Sequence, residues 1–268
     1  MFDPNSPYCI ESPLGNLLVT INILTHLRKI KFDKLTQKSI TGFNRHFNNL
    51  CIILRRIKDE NDGLVEEEGK TNKTKTVGAI YYPEFYSLLT VDLEIFFIYL
   101  KMLMDDIAGI TPYFFDKKRG IIPNDSFHSQ KEWFIKKGTK LDSDFATYLQ
   151  KETEWFDKIR GEREKVIHYQ ANNIIFFDKK DNKTELLYQD IWDYGFRINQ
   201  PKLKPLMNTV KGYVKNFYSF CKFYDSHFLE KMKVYGQYNS SYHCGNDICH
   251  FKWYLDILPE DFDFKQTE

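Results

Sequence analysis

The chain has 268 residues, 42 % of them hydrophobic and 16 % aromatic, enough for one large domain or two small ones with a substantial core. Its 38 basic and 37 acidic residues nearly cancel. That balance excludes a global attraction to nucleic acid and leaves a local patch as the only electrostatic route to one.

The N-terminal Met1-Phe2-Asp3-Pro4 lacks the basic start of a signal peptide. Leu17 to Leu24 is too short to span a bilayer. Val91 to Ile110 is long and apolar, but Asp92, Glu94, Lys101, Asp105 and Asp106 interrupt it, which suits a buried amphipathic helix. No membrane partner is expected, and the chain reads as soluble and cytoplasmic. Five cysteines, mostly scattered, do not form a secreted disulfide framework; Cys9, Cys51 and Cys221 read as small buried hydrophobes.

Taken in order, Phe43, Phe47, Leu50, Cys51, Leu54 and Ile57 recur every three to four residues and mark one face of a helix. The acidic run Asp59 to Lys75 reads as a solvated loop. A second helix is expected from about Pro83 to Ile110, stopped by Thr111-Pro112. Thr111 to Asp125 reads as a loop and Ser126 to Lys137 as a short helix, with Trp133 and Phe134 inward and Gly138 ending it. Asp142 or Ser143 can cap the next helix. Phe145, Leu149, Phe156, Ile159, Val166 and Ile167 predict that it runs unbroken to about Tyr169. Ile174 to Phe177 and Glu185 to Tyr188, joined by a polar connector, carry a hairpin signal. Leu203 to Met232 reads as a long helix with Leu206, Val210, Tyr213, Val214, Phe217, Phe220 and Cys221 inward, its aromatics serving core or dimer surface rather than base stacking. An irregular tail follows from Gly236. The expected fold is mainly α, a helical bundle with an inserted β-hairpin near 174–188. Three regions are expected: 1–75, 76–235 and 236–268.

One stretch stands out: Arg160-Gly161-Glu162-Arg163-Glu164-Lys165-Val166-Ile167-His168-Tyr169. On a helical wheel Arg163 falls in the apolar stripe, about 40° from Ile159. A cation there needs a partner or a wet cleft. Arg160, Glu164 and His168 lie at i, i+4 and i+8, so Glu164 can orient His168. Gly161, inside the helix, costs about 1 kcal/mol against alanine and suits the close approach of another backbone. A cation and an imidazole together can cleave a phosphodiester without a metal. The same charges can also be solvated i, i+4 pairs.

Other candidates are thinner. His243, Cys244, Cys249 and His250 hold four soft donors within eight residues. Their spacing is not a common zinc spacing and no second pair accompanies them, so neither metal nor cofactor is expected. Asp105-Asp106 could anchor Arg160 or Arg163, or be a plain solvated helix end. His26, His46, His128 and His227 show no local partner.

The Arg163 to His168 segment resembles the R-x(4–6)-H signature of the HEPN superfamily, all-helical domains that often act as metal-independent ribonucleases. Arg163 matches the motif Arg and His168 the motif His. The order of a long helix, the motif and a hairpin over about 83–232 is similar as well. The residue after the motif Arg is usually Asn, Asp or His, and here it is Glu164. A Tyr often stands two residues after the His in some toxin members, and here Tyr169 is one residue after. The resemblance implies a homodimer that cleaves RNA through the ribose 2′-hydroxyl, in a defence or toxin system with an antitoxin protein. Catalysis would fall to Arg163, His168 and Glu164, with Arg160 and Tyr169 as substrate contacts. The alternatives are a non-catalytic helical binding or scaffold protein and a nucleotide-binding regulator.

Overall fold

The computed structural model describes residues 13–14, 17–18, 20–21, 31, 33–71, 84–118, 120–169, 174–180, 183–189 and 204–232. Within these, the side chains of 68–71, 84–86, 116–118, 164–169, 174–180, 183–189 and 204 lie outside the description. The described chain is mainly helical. Among the described residues no helix is long and apolar enough to cross a membrane.

Helix α1 spans Lys34–Thr71. Asp33 begins it by accepting the Thr36 amide at 2.7 Å, an N-terminal cap. Phe43, Phe47, Leu50, Leu54 and Ile57 are buried, as the helical period requires. The expected loop after Asp59 is instead helix as far as Thr71. Leu64, one heptad beyond Ile57, continues the apolar face and is fully buried. Arg55–Asp59 and Lys58–Asp62 add i, i+4 pairs at 3.7 and 2.9 Å. Glu60 is buried beside Arg56. The acidic residues that look solvated in sequence thus pair with the preceding turn.

Helix α2 spans Glu84–Ile110. Leu89, Leu93, Phe96, Leu100, Leu103 and Ile107 form its buried face. The segment expected to be a loop from Thr111 starts as a 3-10 helix, Thr111–Lys118, kinked at Phe115. Pro112 has no amide to extend the α-helical ladder, and the Thr111 hydroxyl donates back to the Ile107 carbonyl at 2.8 Å.

Helix α3, Phe127–Lys136, buries Phe127, Gln130, Lys131 and Phe134. Trp133, expected inward, is only half-buried. Gly138 follows in a short 3-10 turn, Gly138–Lys140. A Cβ there would stand 2.6 Å from Phe134 Cδ1, so glycine lets the chain turn against that ring.

The single helix expected up to Tyr169 is two. Helix α4 spans Ser143–Glu152 and is capped by Asp142, whose Oδ1 accepts the Phe145 amide at 3.0 Å. Helix α5 spans Glu154–Tyr169. Between them Thr153 leaves helical geometry at φ −115°, ψ 22°. Its carbonyl accepts the Phe156 amide and the Lys131 ammonium instead of continuing the ladder. Helix α6, Leu206–Met232, buries Val210, Val214, Phe217, Phe220, Cys221, Tyr224 and Phe228, with Tyr213 half-buried. Cys51 and Cys221 are free and buried, and burial pushes the Cys221 thiol up, keeping it unreactive.

The chain divides into two compact units. Among the described residues, the first draws on α1 up to Cys51, the chain from Tyr99 through Arg160, and α6 from Asn216. Its core is aromatic: Phe127 meets the Phe156 and Phe220 rings edge-on, and Phe134 meets Phe145. Such contacts contribute beyond area alone. The second draws on Ile52–Ile98 and Gly161–Lys215. There Phe97 packs edge-on against Phe96 and Tyr213.

Candidate functional site

Helix α5 carries Arg160, Arg163, Glu164, His168 and Tyr169. Glu154 and Asp157 in its first turn complement the positive helix end, and Trp155, Phe156 and Ile159 bury one face. Arg160 and Arg163 are half-buried. The side chains of Glu164, His168 and Tyr169 lie outside the described residues, and so do His26, His243, Cys244, Cys249 and His250. The expected Arg160–Glu164 and Glu164–His168 pairs therefore fall outside the description as well. Among the described residues no three potential metal ligands stand together.

The break at Thr153 corrects the wheel. Phe145 and Leu149 belong to α4, so their stripe does not carry over into α5. The charged residue that α5 buries is Glu162, while Arg163 next to it in sequence is half-buried. Gly161 does not serve a close approach among the described residues, since a Cβ there would meet nothing within 4 Å.

Arg160 meets a histidine that had no visible partner in the sequence. Its Nη1 lies 3.1 Å from His128 Nε2 on α3. A guanidinium only donates, so Nε2 accepts, and the neutral ring carries its proton on Nδ1. That Nδ1 is buried without a hydrogen bond and stands 3.8 Å from Asp157 Oδ1, beyond hydrogen-bonding range. The other Asp157 oxygen accepts the Lys131 ammonium at 2.6 Å, and Lys131 also donates to the Thr153 carbonyl at 3.2 Å. Lys131 is buried, whereas the His128 and Asp157 side chains are 35 % and 44 % exposed. The only sequence signal was a pair of i, i+3 spacings, His128 with Lys131 and Asp157 with Arg160. Nothing local joins the two pairs.

His46, itself buried, shows the same order of groups in a tighter form. Its Nδ1 lies 2.6 Å from Asp106 Oδ2, and Arg45 Nη2 lies 3.2 Å from its Nε2. Burial pushes the Asp106 carboxyl up to about 6 against the opposing pull of His46. Asp105 takes the Lys101 ammonium and, at 3.1 Å, the Phe127 amide. Both aspartates thus serve packing between helices of the first unit. They fill neither of the two roles considered from the sequence, a plain solvated helix end or an anchor for Arg160 or Arg163. His227 pairs with Asp142 at 2.8 Å, and Lys231 joins the same carboxylate at 2.8 Å.

No family model, curated protein or solved structure matches this chain.

Proposed function

We propose that the chain is a HEPN-like, metal-independent endoribonuclease. The observation that carries this reading is Arg163, held half-buried on α5 five positions ahead of His168 on the same helix. A cation in that setting is suited to an oxyanion, because a partly desolvated guanidinium gains most from a charged partner. The mainly helical fold is in keeping with such a domain. The inserted hairpin belongs to the same reading and is supported by antiparallel pairing of β1, Ile174–Lys180, with β2, Lys183–Gln189, Phe176 standing opposite Leu187.

In this mechanism Arg163 holds the scissile phosphate. His168 takes the proton from the ribose 2′-hydroxyl, the 2′-oxygen bonds to phosphorus, and the bond to the 5′-oxygen breaks. The departing 5′-oxygen takes a proton from water and His168 returns its own proton to solvent, leaving 2′,3′-cyclic phosphate and 5′-hydroxyl ends. Glu164 orients His168, and Arg160 and Tyr169 contact the substrate. The enzyme works as a homodimer in the cytoplasm, in a defence or toxin system held in check by an antitoxin protein.

The test is cleavage of single-stranded RNA in EDTA. RNA should be cut to those ends while DNA, lacking the 2′-hydroxyl, survives. His168→Ala should slow cleavage by about a hundredfold or more. Equal residual cleavage by wild type and variant would mark a contaminant, and the helical binding or scaffold reading would replace the enzyme.

A further inference from the structure

We propose that His128 and Arg160, with Asp157 behind the imidazole, form a phosphate-binding subsite for the RNA backbone. This rests on the reading that RNA is the ligand and adds a site that lies wholly within the first unit.

One nitrogen of the Arg160 guanidinium, Nη1, donates to an uncharged acceptor, the His128 Nε2. A charge-assisted bond to a phosphate oxygen is roughly twice as strong. On its far side the ring has a buried Nδ1 with no hydrogen-bond partner, facing Asp157 across 3.8 Å. Buried polar atoms without partners are uncommon, and each calls for an explanation. Both features resolve together when an oxyanion arrives. His128 takes up a proton, its Nδ1–H closes on Asp157, and its Nε2–H turns from acceptor to donor. Arg160, no longer able to donate to Nε2, shares the same oxyanion.

The surroundings are built for this change. Lys131 is fixed between the Thr153 carbonyl and Asp157 Oδ2, so Asp157 keeps its place while the other oxygen, Oδ1, faces the ring. His128 and Asp157 are each more than a third exposed, so a ligand can reach the ring. In the comparable Arg45–His46–Asp106 arrangement the ring–carboxylate contact is already 2.6 Å and the His46 ring is buried, although Arg45 is exposed. It is therefore a packing device, whereas the looser, exposed copy is the one open to a ligand. The charged groups about His128 are Lys131 and Glu132 on α3, Asp157 and Arg160 on α5, and Asp105 of α2, which accepts the amide of the preceding Phe127.

The experiment uses the full chain and a fluorescent, 2′-O-methylated single-stranded RNA, which binds but lacks the hydroxyl needed for cleavage. Affinity should fall between about pH 5.5 and about pH 7.5, the range in which imidazoles lose their charge. His128→Gln keeps an acceptor for Arg160 and should abolish that pH dependence. Arg160→Ala should weaken binding about tenfold, as loss of a charge-assisted bond does, and reduce the salt slope by about one. Thermal unfolding of both variants within a few degrees of wild type would exclude a merely structural effect. If either variant binds like wild type, or if wild type does not bind, the subsite is overturned. If binding behaves as expected while unmodified RNA stays intact, the subsite stands and the ribonuclease reading falls.

Discussion

Arg56 reaches Asp92 with its Nε 2.8 Å from Oδ2, although Asp92 has no exposed surface. Glu60, also buried, is on the same side of Arg56, so two carboxyl groups face one guanidinium. Burial first, and the Asp92 charge next, push the Glu60 carboxyl up to about 8. It therefore keeps its proton in the folded protein at neutral pH.

The first prediction follows from linkage. A carboxyl raised above its ordinary value of 4.5 favours folding fully below that value, and its contribution is lost as pH rises towards about 8. Glu60→Gln fixes the neutral form and should flatten this decline. Urea midpoints at about pH 5 and about pH 9 should differ less in the variant than in wild type. A wild-type slope retained in the variant would show that the dependence arises elsewhere.

The opposite sign applies at Asp142. Burial works against its charge, yet hydrogen bonds from His227, Lys231 and the Phe145 amide hold the carboxyl down at about 2. Its stabilising contribution is present above the ordinary value of 3.8 and is lost as pH falls through about 2. Asp142→Asn keeps a good cap but loses the charge. It should cost about 2 kcal/mol at neutral pH, the scale of hydrogen bonds to a charged group. The difference from wild type should shrink in acid, which chemical unfolding between about pH 2 and about pH 6 would reveal.

Gly42 supplies a steric test. A Cβ at that position would stand 2.6 Å from Asp106 Oδ1, and Asp106 is itself held by His46. Gly42→Ala should therefore destabilise the protein by about 1–3 kcal/mol, despite alanine's better helix propensity. Gly161→Ala, in open space on α5, should instead stabilise by up to about 1 kcal/mol. The two glycines should move the melting temperature in opposite directions.

At Arg163 the prediction concerns rate. Arg163→Ala should slow RNA cleavage by about a hundredfold or more, and Arg163→Lys should not restore it, because an ammonium cannot make the paired contacts of a guanidinium. Full rescue by lysine would mean that only the charge matters there. Melting curves should leave both variants folded.

The long helices were legible because each buries its own periodic stripe: α2 and α6 follow directly from residues such as Leu93, Leu100, Phe217 and Phe220. What the sequence did not disclose depends on partners far away in the chain. The helix beyond Asp59 includes Glu60, whose buried place involves Asp92 on α2. The break at Thr153 goes with Lys131, twenty-two residues earlier, which takes the carbonyl. Asp59 to Lys75 looked too charged to pack, and Thr153 looked too ordinary to interrupt a helix. The candidate motif was visible as a spacing, but the His128 contact with Arg160 was not, because it joins residues thirty-two positions apart.

The interruption at Thr153 also sets what the chain can tolerate by way of insertion. One residue added inside a continuous helix turns everything beyond it by about 100°. Because α4 and α5 are separate, an extra residue between Ser143 and Glu152 would disturb the Phe145 face and leave the spacing of Asp157, Arg160, Arg163 and His168 in phase. The same residue added between Asp157 and His168 would swing part of that set away from the rest. Length variation among descendants of this chain should thus be tolerated more readily on the near side of Thr153 than on the far side.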